Sequence, residues 1–325
     1  MSSIEKAIER LAKSKTESKK AASPDAESQQ SVEEGKVTAE MAAPEAVVTS
    51  EMAATEVVAT KTVSETQLPE EKKRPKEREK SDPEQESKRV RLDYEALSKI
   101  GHIVPHAGNK QLSEEYRIIK RPIIRNALGK GAAPLAHSNL VSISSSLPSE
   151  GKTFTAFNLA LSIATELDST VLLIDGDVLK YSMSRLLGIE NEKGLIDLLS
   201  DKQCHVGDVI IQTQIPRLKL IAAGTRSEKS TELLASTEME RLLDELSSRY
   251  KDRIIIFDSP PILATSEAAV INQHMGQILL VVEAGQTPVE AIKDSLSRLD
   301  EEKAIGLVLN KSREGKGENY YGTYY

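Results

Sequence analysis

"NLVSISSSLPSEGKTFTAFNLALSIA", residues 139–164, decides the fold. Its opening, "NLVSIS", is strand-like. A loop containing Ser, Pro and Gly follows. Gly151-Lys152-Thr153 then opens a long apolar helical stretch. A strand, a glycine-bearing loop and a helix N-terminus together make a cradle for phosphate. The first N–H groups of a helix lack internal partners, point at the anion, and are helped by the helix dipole. Lys152 is expected to reach the β- and γ-phosphates of ATP, and the Thr153 hydroxyl to ligate Mg²⁺. Ser149, Glu150, Gly151 and Phe154 complete the expected nucleotide contacts. Ser146 stands where such loops usually place their first glycine.

Outward from this stretch, strand-like and helical segments alternate. "STVLLIDGD", "LKLIAAG", "RIIIFDSPP", "QILLVVEAG" and "AIGLVLNK" are continuous apolar runs, as expected of parallel strands buried on both faces. Helical patterns such as "STELLASTEMERLLDELSSRY" and "TPVEAIKDSLSRLDEE" lie between them. The pattern predicts an α/β fold, a doubly wound and mainly parallel sheet with helices on both faces. Such a sheet binds its ligand at the carboxyl ends of its strands. The polar motifs fall there. Asp175 and Asp177 end one strand, and paired carboxylates beside phosphate need Mg²⁺ or a proton between them. Asp258 follows four apolar residues and is expected to contact Mg²⁺, directly or through water. Asn310 ends the last strand, where an amide can either pair with adenine or cap local backbone.

Composition divides the chain. It has 325 residues, with eight Tyr, three Phe and no Trp. No aromatic residue precedes Tyr94. Residues 1–13 form a short amphipathic helix pattern, with Ile4, Ala7, Ile8 and Leu11 on one face. Residues 14–92 are rich in Ser, Ala, Glu, Lys, Thr and Pro and are expected to be a disordered charged linker. Residues 93–130 carry a charged helix, read from Leu112 to Ala127 with Ser113 as its cap. Residues 131–312 carry the nucleotide domain, and residues 313–325 a flexible tail. That tail ends in "ENYYGTYY", which holds Tyr320, Tyr321, Tyr324 and Tyr325. Tyrosines flanked by glycines, with no apolar stripe, suit a substrate better than a core.

A net charge of −7 argues against a nucleic-acid partner. The lone cysteine, Cys204, excludes an internal disulfide and suits a reducing compartment. No apolar run reaches the ~18 residues of a membrane helix. The chain is therefore expected to be cytoplasmic, meeting the inner membrane only peripherally.

These motifs resemble the bacterial tyrosine kinases of exopolysaccharide synthesis over about residues 110–325. "SSLPSEGKT" is similar to the family's nucleotide loop, with Ser149 in place of a usual glycine. "VLLIDGD" and "IIIFDSPPIL" resemble its two acidic motifs. "EEYRIIKRPI" resembles its oligomerisation helix through Glu114, Arg117 and Lys120, with Lys at the last place. The usual Pro-Asn-Pro ahead of "STELLAS" is missing. The N-terminus and this helix are most similar to the autokinases associated with exosortase-type export systems.

The resemblance implies phosphorylation of tail tyrosines in trans within a homo-oligomeric ring. It implies a membrane chain-length-determinant protein as activator and a cognate tyrosine phosphatase. Asp175 takes the role of base and Asp177 that of metal ligand, though the two can exchange. A partitioning ATPase switch of the MinD/ParA type is the main rival. That class carries a lysine where Leu147 stands and lacks a tyrosine-rich tail. A non-catalytic nucleotide-binding regulator is the other rival, opposed by intact Lys152, Asp175, Asp177 and Asp258.

Overall fold

The structure is a computed structural model that describes residues 88–105, 109–131, 134–249 and 253–312. The expected N-terminal helix, most of the expected linker and the tyrosine tail lie outside the described residues. A two-residue strand, β1 (Arg89–Val90), precedes helices α1 (Tyr94–Lys99) and α2 (Lys110–Ala127). The winding proper begins with β2 (Leu140–Ser145), α3 (Lys152–Ala164) and β3 (Thr170–Asp175). Short helices α4 (Ser182–Leu186), α5 (Leu195–Ser200) and α6 (Val206–Val209) lead to β4 (Ile211–Thr213) and β5 (Leu218–Ile221). Then come α7 (Ser230–Leu234), α8 (Thr237–Arg249) and β6 (Arg253–Asp258). The last elements are α9 (Ser266–His274), β7 (Gln277–Glu283), α10 (Val289–Ser297) and β8 (Ala304–Asn310).

The strands form one sheet in the order β1-β4-β5-β3-β6-β2-β7-β8. Neighbours run parallel except β4 against β5. The central strands β2, β3, β6 and β7 are buried along almost their whole length, as the apolar runs of β3, β6 and β7 require, and β2 buries three serines among its apolar residues. Two apolar cores result, one on each face. Helix α3 lies between the sheet and α2, so eleven of its thirteen residues are buried. That explains why it shows no polar stripe in sequence. Among the described residues, no helix is long and apolar enough to cross a membrane.

Three expectations are corrected. The linker does not extend to residue 92: β1 pairs with β4, Lys88 pairs with Glu192 at 2.6 Å, and Leu92 is buried. Helix α2 starts at Lys110, and its cap is Asn109, whose side chain accepts from the Gln111 and Leu112 N–H groups. Ser113 lies one turn inside and donates to the Asn109 carbonyl at 3.0 Å. The helical run from Ser230 breaks after Leu234 and restarts at Thr237. Ser236 interrupts it by donating to the Leu233 carbonyl at 2.6 Å, local bonding that competes with a continuous helix.

Lys120 also differs from its expected place on an oligomerisation face. It is 4% exposed and points inward from α2. Its Nζ donates to the Ser162 carbonyl at 2.7 Å and the Thr165 hydroxyl at 3.2 Å, and pairs with Glu166 at 2.6 Å. It thus caps the C-terminal end of α3, where unpaired carbonyls and the negative dipole end favour a cation. Glu114 and Arg117 instead form an exposed i,i+3 pair at 2.6 Å. Lys120→Ala should therefore cost about 1–3 kcal/mol of stability by removing a buried charge-assisted hydrogen bond at the end of α3. Arg117→Ala should change stability by less than about 0.5 kcal/mol. Urea unfolding of both variants measures the contrast.

Candidate active site

Strand β2 is the switch point of the sheet. The chain leaves it toward β3, on the far side of β6, and later returns to β7 on its other flank. The crevice at the carboxyl ends of these strands is the expected ligand position in an open α/β sheet. Residues 146–151 fill its floor and lead into α3. Ser149 has φ 68° and Gly151 φ 98°, both left-handed. The left-handed backbone is why glycine suits position 149, and a serine there carries some strain. Two C-terminal side chains hold this bend. The Lys311 Nζ donates to the Ser149 carbonyl at 2.7 Å, and the Asn310 Nδ2 donates to the Glu150 carbonyl at 2.8 Å. A side chain added at Gly151 would run into the Asn310 amide. Asn310 thus stands as a prop for the loop backbone, the capping alternative of the two its position allowed.

Glu150 is 2% exposed and turned into the loop. Its carboxylate accepts from the Leu147 N–H at 2.7 Å and from the Thr287 hydroxyl. Its side chain is thus committed to the loop itself, which leaves its backbone to meet a phosphate. Ser146 is also explained: it is buried and accepts a 2.8 Å hydrogen bond from Ser295 of α10. Phe154 is half-buried, with its ring 4.9 Å from that of His102. It packs α3 against the segment after α1.

The acidic residues meet on the other side. Asp175 and Asp258 are direct register partners on β3 and β6, and both are fully buried. Paired parallel positions lie about 4.8 Å apart and point to the same face. Asp175 is well satisfied: one oxygen accepts the Ser184 N–H at 2.8 Å and the Ser184 hydroxyl at 2.6 Å, the other the Asp177 N–H at 3.2 Å. Asp258 is not. Both of its carboxylate oxygens are buried without a hydrogen-bond partner. Burial and then the Asp175 charge push it up to about 8, against the opposing pull of the Thr153 hydroxyl and the Lys152 charge. Asp175 is pushed up to about 6, mainly by burial. Asp177 is 3% exposed, and one of its oxygens accepts the Lys180 N–H at 3.2 Å.

A small hard cation fits here. Two orphaned carboxylate oxygens beside a threonine hydroxyl are oxygen donors of the kind Mg²⁺ takes. Among the described residues, no three His, Cys, Asp or Glu side chains cluster as a complete cage. A Mg²⁺ ion would draw its other ligands from phosphate and water, as is usual for it.

The site thus gathers Lys152, Thr153, Asp175, Asp177, Asp258 and Asn310. The four tail tyrosines lie outside the described residues, and Glu114 and Arg117 lie on α2. Ser184, Thr287 and Ser295 were not singled out in sequence. Each is a lone small hydroxyl with no motif spacing, and only the fold shows what it holds.

The carboxylate pair gives a pH signature. Both folded-state values lie above the ordinary ~4 of a free carboxyl. Their stabilising protonation is therefore complete below that value and is lost as pH rises through about 6 and then about 8. Asp258→Asn should raise the thermal midpoint of the nucleotide-free protein at pH 8.5, by on the order of 3 °C, with little effect at pH 5. Scanning calorimetry at the two pH values checks this.

The AAA domain family matches residues 139–303, half of the chain. Tyrosine-protein kinase YwqD of Bacillus subtilis is 31% identical over 216 residues, covering 65% of this chain and 86% of the relative. Tyrosine-protein kinase wzc of Salmonella typhimurium is 34% identical over 192 residues, covering 58% of this chain but 26% of the relative. The chain spans about a quarter of the length of the first curated relatives it matches. The solved kinase domain of Escherichia coli tyrosine kinase ETK superposes with a TM-score of 0.50 at 32% identity, covering 57% of this chain and 73% of that one. The site's geometry and these likenesses agree: this chain belongs to the AAA-domain family of P-loop proteins and, within it, to the bacterial tyrosine-protein kinases.

Proposed function

We propose that the chain is an ATP-dependent protein-tyrosine autokinase. Its acceptors are Tyr320, Tyr321, Tyr324 and Tyr325 of a neighbouring copy in a homo-oligomeric ring. One observation carries the reading. A carboxylate raised into the neutral range, Asp175, stands beside a phosphate-binding loop, on a chain whose clustered tyrosines begin ten residues after β8. Phosphoryl transfer needs positioning and charge neutralisation more than covalent chemistry. Lys152 approaches the transferred phosphate, and the N–H groups at the start of α3 hold the others. Thr153, Asp177 and Asp258 would hold Mg²⁺, which neutralises charge on the phosphates. Asp175 accepts the proton of the tyrosine hydroxyl. A base works best with a pKa near the working pH, and the raised value at Asp175 suits that role. Ser184 fixes the carboxylate in place.

Glu114 and Arg117, exposed on α2, supply the assembly face, whereas Lys120 braces that helix from within. Residues 14–87 then serve as a linker ahead of the kinase domain, and residues 313–325 as its substrate tail. The ring works at the cytoplasmic face of the inner membrane. There a chain-length-determinant protein activates it and a tyrosine phosphatase resets it, so that exopolysaccharide polymerisation and export follow the phosphorylation cycle.

The test is incubation of the full chain with labelled ATP and Mg²⁺, with phosphate mapped by mass spectrometry. Label is expected on Tyr320 to Tyr325, reduced by roughly a hundredfold or more in Lys152→Met. ATP turnover with no phosphotyrosine would overturn the kinase reading in favour of a switch ATPase.

A further inference from the structure

A cavity of 420 Å³ opens beside the acidic pair. Tyr181 and Arg185, at the start and end of α4, form one wall. Gly224 and Arg226, in the turn after β5, form another, and Glu190 and Glu192 close it. Two hydrogen bonds join this cavity to Asp175. The Ala223 N–H, next to Gly224, donates to the Ser184 hydroxyl at 3.1 Å, and that hydroxyl donates to Asp175 at 2.6 Å. In the sheet, β5 lies on one side of β3, and β6 and β2 lie on the other. The nucleotide loop leaves β2. The cavity and the loop therefore approach the acidic pair from opposite sides.

Three groups of the cavity are left without partners. Among the described residues, neither the Arg185 nor the Arg226 guanidinium forms an ion pair. Arg226 instead lies 5.1 Å over the Tyr181 ring, a cation–π contact. Tyr181 is 3% exposed, and its hydroxyl is buried with no hydrogen-bond partner, although a buried phenol normally finds one. Of the two glutamates, Glu192 is taken by Lys88 at 2.6 Å. Two unpaired cations thus face one unpaired carboxylate, Glu190, which leaves an excess of positive charge.

We propose that this cavity is a subsite for the acceptor peptide. It takes an anionic side chain, a carboxylate or the phosphate of a phosphotyrosine, that flanks the tyrosine held at Asp175. Guanidinium groups meet either anion in the same forked geometry. The Tyr181 hydroxyl adds a neutral donor. Attacking and leaving oxygens lie roughly in line in phosphoryl transfer, so the acceptor must arrive opposite the nucleotide loop, where the cavity is. The cavity sits one strand over from Asp175, roughly 5 Å in sheet spacing, which an extended peptide covers in about two residues.

The identity of the ligand rests on the kinase reading, whereas its binding needs no catalysis. Fluorescence anisotropy tests it on the full Lys152→Met chain, with ADP and Mg²⁺ filling the nucleotide loop. Three synthetic tyrosine peptides are compared, with Glu, phosphotyrosine or Gln two places from the tyrosine. At least one anionic peptide is expected to bind roughly tenfold tighter than the Gln peptide, and the tighter of the two names the source of the anion. Arg185→Gln and Arg226→Gln should each cut that preference below about threefold. Both side chains are exposed, so neither change threatens the fold. Arg241→Gln, at an exposed arginine on α8, should keep the preference. Equal binding of charged and neutral peptides would overturn the proposal. So would a preference that survives both cavity variants. A chain that shows the preference but labels no tyrosine would fail as a kinase and keep its anion site.

Discussion

Two buried carboxylates held side by side are the constraint around which this protein is built. The register of β3 on β6 sets Asp175 against Asp258, and both side chains are fully buried. Both cannot be charged at that spacing in a dry site without a cation or a proton. The arrangement is costly when the site is empty and favourable when positive charge arrives. Lys152 supplies part of that charge from the start of α3. The two carboxylates are not equivalent. Ser184 saturates one oxygen of Asp175 and positions it, while both oxygens of Asp258 are buried without a hydrogen-bond partner.

The opposite wall of the site is built by the C-terminal half of the chain. Thr287 and Ser295 hold the loop through Glu150 and Ser146, and Asn310 and Lys311 hold its carbonyls. The nucleotide loop is therefore not a free-standing motif. Its left-handed turn at Ser149 survives a non-glycine residue because the backbone on both sides is tied down. The same ties place the end of β8 against residues 149 and 150 of that loop.

The sheet was legible because β3, β6, β7 and β8 carry continuous apolar runs, and those patterns survive any neighbour. The carboxylates were legible for the same reason: an aspartate after four apolar residues has few structural uses. Short elements were not. β1 and β4 are two and three residues long, too brief for a period to show, and they form only because the sheet edge accepts them. Lys120 read as an assembly residue because the resemblance set it in the oligomerisation motif with Glu114 and Arg117. Its inward course depends on where the C-terminus of α3 lies, which is tertiary information. Glu150 and Ser146 are of the same kind: residues of a binding motif whose side chains turn out to serve the loop.

The central claim is that Asp258 carries a proton in the empty site and gives it up to a cation. Calorimetric titration of the full chain with ADP and Mg²⁺ at pH 7, in buffers of different ionisation enthalpy, counts protons released on binding. About one proton per site is expected for the native chain, and a small fraction of that for Asp258→Asn. Binding with no proton release in the native chain would contradict the account.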